Sequence, residues 1–263
     1  MTILSDTRYI FVRYLTKLVR TPILLFFSLF QPILFLVLFT QLLTNLAKIP
    51  GILPLHVSYL EFAAAGIVMQ NAFGSALQSG NSIVADIDSG FLQKMLVTPL
   101  SRPAILLGRL SSDAFRVVIQ TAIIIGLAYA LGAAENSPFK VTTGVVGILL
   151  IFFTLAFFGL AWSGISLALG MKTRSSETVF AIGGVITFPL LFLSPALFPI
   201  SFLPKWVGDV SMFNPVSYCV TATRALMING YQWGTILPAW GVIGLVALIT
   251  MSATLYQFRK VVS

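Results

Sequence analysis

The chain has 263 residues, of which 57% are hydrophobic and 9% are charged, whereas about a quarter of the residues in an average soluble domain are charged. This composition excludes an ordinary soluble domain and predicts an integral membrane protein. The 16 lysines and arginines outnumber the 8 aspartates and glutamates and stand beside apolar runs, so we expect them to meet anionic lipid headgroups and not nucleic acid.

Residues 1–20 predict an amphipathic helix, because their apolar side chains recur with a period of about 3.6 residues and most basic side chains fall opposite. Pro22 then breaks the chain before the first long apolar run. We expect this helix to lie along the headgroup layer of the membrane. The alternative is a soluble amphipathic helix, for which the chain offers little soluble protein to pack on.

The apolar runs predict an all-α membrane protein with six transmembrane helices, since a span needs about 20 apolar residues. We place them at 22–47, 59–83, 104–134, 141–171, 177–197 and 235–258. A cytoplasmic N-terminus leaves Lys48, Lys140, Lys205 and Arg224 outside and Arg116 within the third helix, with the remaining lysines and arginines inside. We therefore expect a multi-pass protein of the plasma or inner membrane with both termini cytoplasmic.

The loop at 86–102 is the longest polar interruption on the predicted cytoplasmic side. Asp88 or Ser89 can cap a short helix that Pro99 ends. One face of this helix carries an apolar stripe, rimmed by acidic and polar side chains: Phe91, Leu92, Met95 and Leu96, with Asp86, Asp88, Gln93 and Lys94. An exposed stripe of this kind predicts a docking surface for a partner, and the alternative is a helix folded back onto the membrane surface.

Charged residues inside a span are costly and call for a role. Arg109, Asp113 and Arg116 are spaced at i, i+4 and i+7, so they share one helix face and Asp113 can pair with either arginine. Glu177 follows a predicted Ser175 cap at the start of the fifth span. We group these residues as an inner polar stripe that faces other helices, with substrate contact as the alternative.

The segment at 198–230 is interrupted by proline and glycine, and its apolar part at 216–229 is about fourteen residues long, which is too short for a seventh span. We predict two re-entrant half-helices on the outer side, near 203–212 and 216–228, with Asn214 and Pro215 between them. Glu61, one turn into the second span, is expected to approach Arg224 of the second half-helix, or a polar partner that both share. Glu61, Asn214, Pro215 and Arg224 form the predicted outer gate.

Two stretches carry a resemblance that covers nearly the whole chain: "SGFLQKMLVTPLSRPAILLGR" and "SPALFPISFLPKWVGDVSMFNPVSYCVTATRAL". Together they resemble the permease subunit of type-2 ATP-binding-cassette (ABC) exporters, the family of daunorubicin-resistance and polysaccharide-export permeases. The resemblance implies that the first cytoplasmic loop carries a coupling helix seated in a cleft of a separate ATPase subunit. Its coupling positions would be Asp88, Phe91, Leu92, Lys94, Met95, Leu96, Thr98, Pro99, Leu100, Ser101 and Arg102.

The resemblance also implies partners. Type-2 permeases work as paired six-span halves with two ATPase subunits, so we expect a homodimer or a pair with a close paralogue. The chain has no G-x-x-x-x-G-K-[ST] motif, so ATP and Mg would bind to the partner ATPase and this chain would bind no cofactor. His56 is the only histidine, which leaves nothing on which to build a metal site or histidine catalysis, and we expect no enzyme activity in this chain itself.

The mid-span residues favour an amphiphilic cargo, because they include aromatic and neutral polar side chains with few unpaired charges. The family pattern points to the first, second and fifth spans for the substrate path, with Phe30, Gln31, Phe35, Gln70, Asn71, Thr187 and Phe188 as candidates. The favoured function is ATP-driven export of a drug-type or lipid-like compound. The alternatives are export of a lipid-linked polysaccharide or lipo-oligosaccharide, a secondary transporter with a buried mid-span acid, and a membrane-embedded lipid-modifying enzyme with clustered His, Asp or Glu.

Overall fold

The computed structural model describes residues 3–43, 57–98, 100–134 and 139–262, and no strand occurs among them. The ten α-helices of these segments are α1 (Ile3–Arg20), α2 (Pro22–Leu43), α3 (Tyr59–Asp88), α4 (Phe91–Val97), α5 (Arg102–Ala134), α6 (Gly144–Thr173), α7 (Ser176–Phe192), α8 (Lys205–Ser211), α9 (Pro215–Arg224) and α10 (Trp233–Val262). A 3-10 turn at Ile200–Phe202 precedes α8, and a π-helical turn at Ala225–Asn229 follows α9. The predicted all-helical fold is confirmed for the described residues.

Four of the described helices are long and apolar enough to cross a membrane, as expected for a multi-pass membrane protein. They are Leu25–Leu43, Arg102–Ala134, Gly144–Thr173 and Trp233–Lys260. The other two predicted spans differ from these. The helix α3 is long enough but is not among the helices apolar enough to cross a membrane, and Ser176–Phe192 is apolar but has only 17 residues. A six-span topology therefore stays a prediction.

The lower apolarity of α3 follows from its place at the centre of the bundle. It packs against α2, α5, α6, α7 and α9, so most of its surface meets protein. Small residues allow the close approaches. A Cβ added at Gly170 would lie 2.6 Å from the carbonyl oxygen of Gly80, and one added at Gly80 would collide with the Ser166 carbonyl, so the backbones of α3 and α6 nearly touch. A central helix with small side chains can satisfy polar groups on its neighbours, as α3 does below.

The fifth predicted span is shorter than the sequence suggests, because α7 ends at Phe192 instead of continuing to residue 197. Ser194 precedes Pro195, and a residue before proline disfavours helical backbone angles. The side chain of Asn214 donates hydrogen bonds to the carbonyl oxygens of Leu190 (2.6 Å) and Leu193 (3.0 Å), which satisfies the open end of α7.

Candidate functional site: a buried polar network, a short surface helix and a polar stripe

Asp86, near the end of α3, is the centre of a buried network where α3 leads into α4. Its Oδ2 accepts hydrogen bonds from the hydroxyl of Tyr14 (2.6 Å) and from Nη1 of Arg109 (2.9 Å). Arg13 and Lys17 lie 3.8 and 3.6 Å from its Oδ1. A carboxylate that is 2% exposed is stable only with such partners, so Asp86 ties α1 and α5 to α3. The prediction that Asp86 rims an exposed stripe is wrong.

Arg109 is as deeply buried as Asp86 and serves as its principal counter-ion. Besides Asp86, its Nη1 donates to the Tyr14 hydroxyl (3.0 Å) and its Nη2 to the carbonyl oxygen of Ser79 (2.9 Å). Burial raises the pKa of Tyr14 and is the largest influence on that hydroxyl, which stays protonated and donates to Asp86. Three helices thus share one set of directional bonds.

The face of α5 that carries Arg109 continues as a polar ladder along α3. Asp113 pairs with Arg116 (3.0 Å) and accepts a hydrogen bond from the hydroxyl of Ser79. Arg116 donates from Nε to Ser75 Oγ (2.9 Å) and from Nη2 to the Ser75 carbonyl oxygen (2.6 Å). Of the two arginines offered by the sequence, Asp113 therefore takes Arg116, because Arg109 is held by Asp86.

Gln120 extends this ladder one further turn. Its Nε2 donates to Ser28 Oγ of α2 (2.8 Å), and its Oε1 accepts from Asn71 Nδ2 of α3 (3.2 Å). Asn71 is buried in this contact. In this contact the Nδ2 of Asn71 is turned to α5, and the assignment of Asn71 to the substrate path stays a prediction.

Glu177 does not join the inner polar stripe to which it was assigned. It is exposed in the first turn of α7, where the side chain of Ser175 caps the helix by accepting from the Thr178 amide (3.2 Å). The residues that share the network are those of α1, α3 and α5, so the stripe is corrected to Arg109, Asp113 and Arg116 with Gln120. Glu177 makes no ion pair within the described residues.

The short helix α4 follows Gly90, whose φ of 66° is a left-handed conformation that suits glycine. Leu92 and Met95 are buried in an apolar cluster with Ile10 of α1 and Leu106 of α5. Both were predicted to lie in an exposed stripe, and that prediction is wrong because this face of α4 packs into a cluster with side chains of α1, α3 and α5. The face that stays exposed carries Gln93, Lys94, Val97 and Thr98, and Val97 is 86% exposed.

The helix α1 holds α4 and the segment after it. The guanidinium of Arg13 lies 3.3 Å from the centroid of the half-buried Phe91 ring, and Asp6 Oδ2 accepts from the backbone amide of Ser101 (3.1 Å). Leu100 is half-buried beside them, whereas Arg102 begins α5 and is exposed in a cleft with α10. Of the remaining predicted coupling positions, Asp88 is exposed and Leu96 is half-buried, whereas Pro99 lies outside the described residues.

The segment predicted to lie on the outer side is built around Asn214 and Pro215. Asn214 caps α9 by accepting from the Val216 amide (3.0 Å), and Pro215 occupies the first helical position, where its missing N–H costs nothing. In the π-helical turn after α9, the carbonyl oxygen of Leu226 accepts a hydrogen bond from the Thr143 hydroxyl (2.7 Å), and that of Ile228 accepts one from the Thr142 hydroxyl (2.9 Å). The two short helices match the predicted half-helices within a few residues.

Glu61 and Arg224 do not form the direct pair predicted for the outer gate. Glu61 accepts from the amide of Ser58 (3.0 Å) in a capping box and from the amide of Lys140 (3.4 Å). Arg224 lies over the ring of Phe62 at 3.7 Å and donates to the carbonyl oxygens of Pro195 (2.9 Å), Phe62 (3.4 Å) and Ala196 (3.5 Å). Both charges therefore bind backbone groups, and they share no polar partner among the residues that the structure describes.

A polar stripe stays open along α3, between the face that meets α5 and the face that meets α7. Its members recur at helical spacing: Gln70, Gly74, Gln78, Asn81 and Ala85. Gln78 and Gly74 are exposed, and Asn81 is buried with both amide atoms lacking a partner within the described residues. Sequence reasoning found Gln70 but missed Gln78 and Asn81, although their spacing gave the signal.

The other predicted path residues flank this region on α2 and α7. Phe30, Gln31 and Phe188 are exposed, and Phe35 is half-buried. Thr187 is buried, and its hydroxyl has no hydrogen-bond partner among the described residues. The helices α2 and α7, which carry these exposed aromatic rings, both pack against α3, which carries the amide groups.

Comparison with known proteins places this arrangement in a family. The profile of the ABC-2 type transporters matches residues 5–228. A putative transport permease, ycf38, of Cyanophora paradoxa is 34% identical over 81% of this chain and 71% of its own length, and the daunorubicin resistance ABC transporter permease protein DrrB1 of Streptomyces coeruleorubidus is 30% identical over 78% and 69%. The ycf38 permease of Pyropia yezoensis is 29% identical over 97% and 88%. The chain belongs to the ABC-2 type transporter family.

Proposed function

We propose that this chain is the membrane subunit of an ABC exporter that moves an amphiphilic, drug-type or lipid-like compound out of the cytoplasm. ATP would be hydrolysed on a separate subunit that binds the nucleotide and Mg. The named resistance permeases among the relatives support this substrate class. The observation that carries the proposal is the open polar stripe on α3, in a chain whose other exposed surface is dominated by apolar side chains.

Amide side chains facing lipid would lack hydrogen-bond partners, and each such group costs free energy. Gln78 therefore needs water, a polar part of a cargo, or another protein copy opposite it, whereas the amide of Asn81 is buried without a hydrogen-bond partner among the described residues. The exposed rings of Phe30 on α2 and Phe188 on α7 offer apolar contact on the two helices that pack against α3. This combination suits a molecule with both polar and apolar parts, and two copies of the chain facing each other would enclose the path.

The proposed coupling surface is the exposed face of α4, with Gln93, Lys94, Val97 and Thr98. In the assembled exporter this face would sit against the ATPase on the cytoplasmic side, where both termini of the chain would also lie. Movement of α4 would reach the path through Arg13, Asp86 and Arg109, since these residues connect α4 and α1 to α3 and α5.

Transport by the chain reconstituted with its ATPase tests the proposal. We expect Gln78→Leu with Asn81→Leu to lower ATP-dependent export of a fluorescent amphiphile at least tenfold while ATPase binding is retained. Ser252→Leu is the matched control, because Ser252 is an exposed polar residue of α10 whose hydroxyl bonds to its own helix at Leu248. Unchanged export by the double variant, or an equal loss of export in the control, would contradict the proposal that the α3 stripe lines the substrate path.

A further inference from the structure

A cleft of about 310 Å³ opens between the beginning of α5 and the end of α10, and none of its lining residues belongs to the α3 stripe or to the exposed face of α4. Its lining is Arg102, Pro103 and Leu106 from α5, and Leu255, Phe258 and Arg259 from α10. Both helices pack against α6. The cleft is therefore the space left where the two helices separate at one end of the bundle.

The lining divides into an apolar floor and a cationic mouth. Leu106 and Phe258 are buried and belong to the same apolar cluster as Leu92 and Met95, whereas Pro103 and Leu255 line the cleft as exposed apolar walls. Arg102 and Arg259 stand exposed on opposite helices at the opening. The cleft thus has an apolar floor and a positively charged opening.

The two arginines lack any protein counter-ion in the described part of the chain: neither takes part in an ion pair or a hydrogen bond there. The lining contains no acidic residue. Two like charges that face one cleft favour an anion between them, and guanidinium groups bind the oxygens of a phosphate in a bidentate manner. Lys260 follows Arg259 and adds positive charge on the same helix end.

The position of the cleft at the ends of two spans indicates which class of anion it binds. Arg102 and Arg259 lie at the ends of two of the four span-length helices, Arg102–Ala134 and Trp233–Lys260, where the hydrocarbon layer gives way to lipid headgroups. We propose that the cleft binds one anionic glycerophospholipid, with its phosphate between Arg102 and Arg259 and an acyl chain against Leu106, Leu255 and Phe258. A free phosphate ion would use the arginines and leave the apolar floor unoccupied.

Native mass spectrometry of the full-length chain tests this site, after purification from membranes and exchange into phosphatidylcholine with a small fraction of phosphatidylglycerol. We expect retained phosphatidylglycerol to fall at least fivefold in Arg102→Gln with Arg259→Gln. Leu255→Trp, which fills the cleft without changing charge, should give a similar loss. The matched control is Lys140→Gln with Lys205→Gln, which removes two exposed charges that do not line the cleft and should retain the lipid.

A second measurement separates a lipid site from a simple anion site. Added phosphatidylglycerol should raise the thermal unfolding midpoint of the wild-type chain and of the lysine control, and this shift should disappear in the arginine double variant. Inorganic phosphate at the same concentration should give no shift. Equal retention of phosphatidylglycerol by the double variant, or an equal shift with inorganic phosphate, would overturn the proposal.

Discussion

The guanidinium of Arg13 lies 3.3 Å from the centroid of the Phe91 ring, so a residue of α1 covers the first residue of α4. The same arginine is 3.8 Å from Asp86. Arg13 therefore links α4 both to α1 and to the last turn of α3. In a permease, this contact is well placed to connect a surface helix with the helices that carry the polar network.

Removal of this contact should weaken coupling more than stability. We expect Arg13→Gln to cost about 1 kcal/mol of unfolding free energy, since a cation over an aromatic ring at a partly exposed site contributes on that order. Transport per ATP hydrolysed should fall several-fold, because α4 would move independently of α1. The measurement is the ratio of export to ATP hydrolysis in proteoliposomes. Arg8→Gln is the control, because Arg8 is exposed on the same helix and its side chain makes no hydrogen bond or ion pair with another described residue. An unchanged ratio in Arg13→Gln would contradict the role assigned to the contact.

Substitution of Asp86 should cause a large loss of stability. Asp86→Asn would leave the buried guanidinium of Arg109 without a counter-ion, which costs about 3–5 kcal/mol in buried pairs. The control Asp88→Asn makes the same chemical change at an exposed position two residues away, and it should change the free energy of unfolding by less than about 0.5 kcal/mol. Thermal unfolding in detergent would measure both. Similar midpoints for the two variants would show that the network contributes little.

The sequence predicted the helices and much of the polar face of α5, because both depend on periodicity within one segment. It missed the burial of Asp86, since the partners Tyr14 and Arg109 come from helices that are distant in sequence. It also misassigned Leu92 and Met95: a seven-residue helix with apolar side chains on more than one side does not reveal which side another helix will cover. The capping role of Glu61 could have been predicted from the sequence, because Ser58 and Glu61 have the spacing of a capping box.

The exposed face of α4 should determine ATPase binding. Val97→Asp is expected to abolish co-purification with the ATPase while the unfolding midpoint stays within about 1 °C, since an exposed valine contributes little to the fold. Leu92→Asp should instead unfold the chain, because it places an unpaired charge in the apolar cluster. Val210→Asp on α8, an exposed valine away from α4, is the control for nonspecific loss. Retained ATPase binding by Val97→Asp would refute this docking surface.

The close crossing of α3 and α6 allows the effect of packing on stability to be measured separately from the effect of helix propensity. Gly80→Ala should destabilise the chain by roughly 1–3 kcal/mol, because the added Cβ would collide with the backbone carbonyl of Ser166 and force the two helices apart. Gly74→Ala on the same helix meets no atom within 4 Å, so it should be neutral or should stabilise α3 by up to about 1 kcal/mol through higher helix propensity. Unfolding midpoints measured in one detergent compare the two variants directly. If Gly80→Ala were as stable as Gly74→Ala, the two helices would have to lie farther apart than this crossing places them.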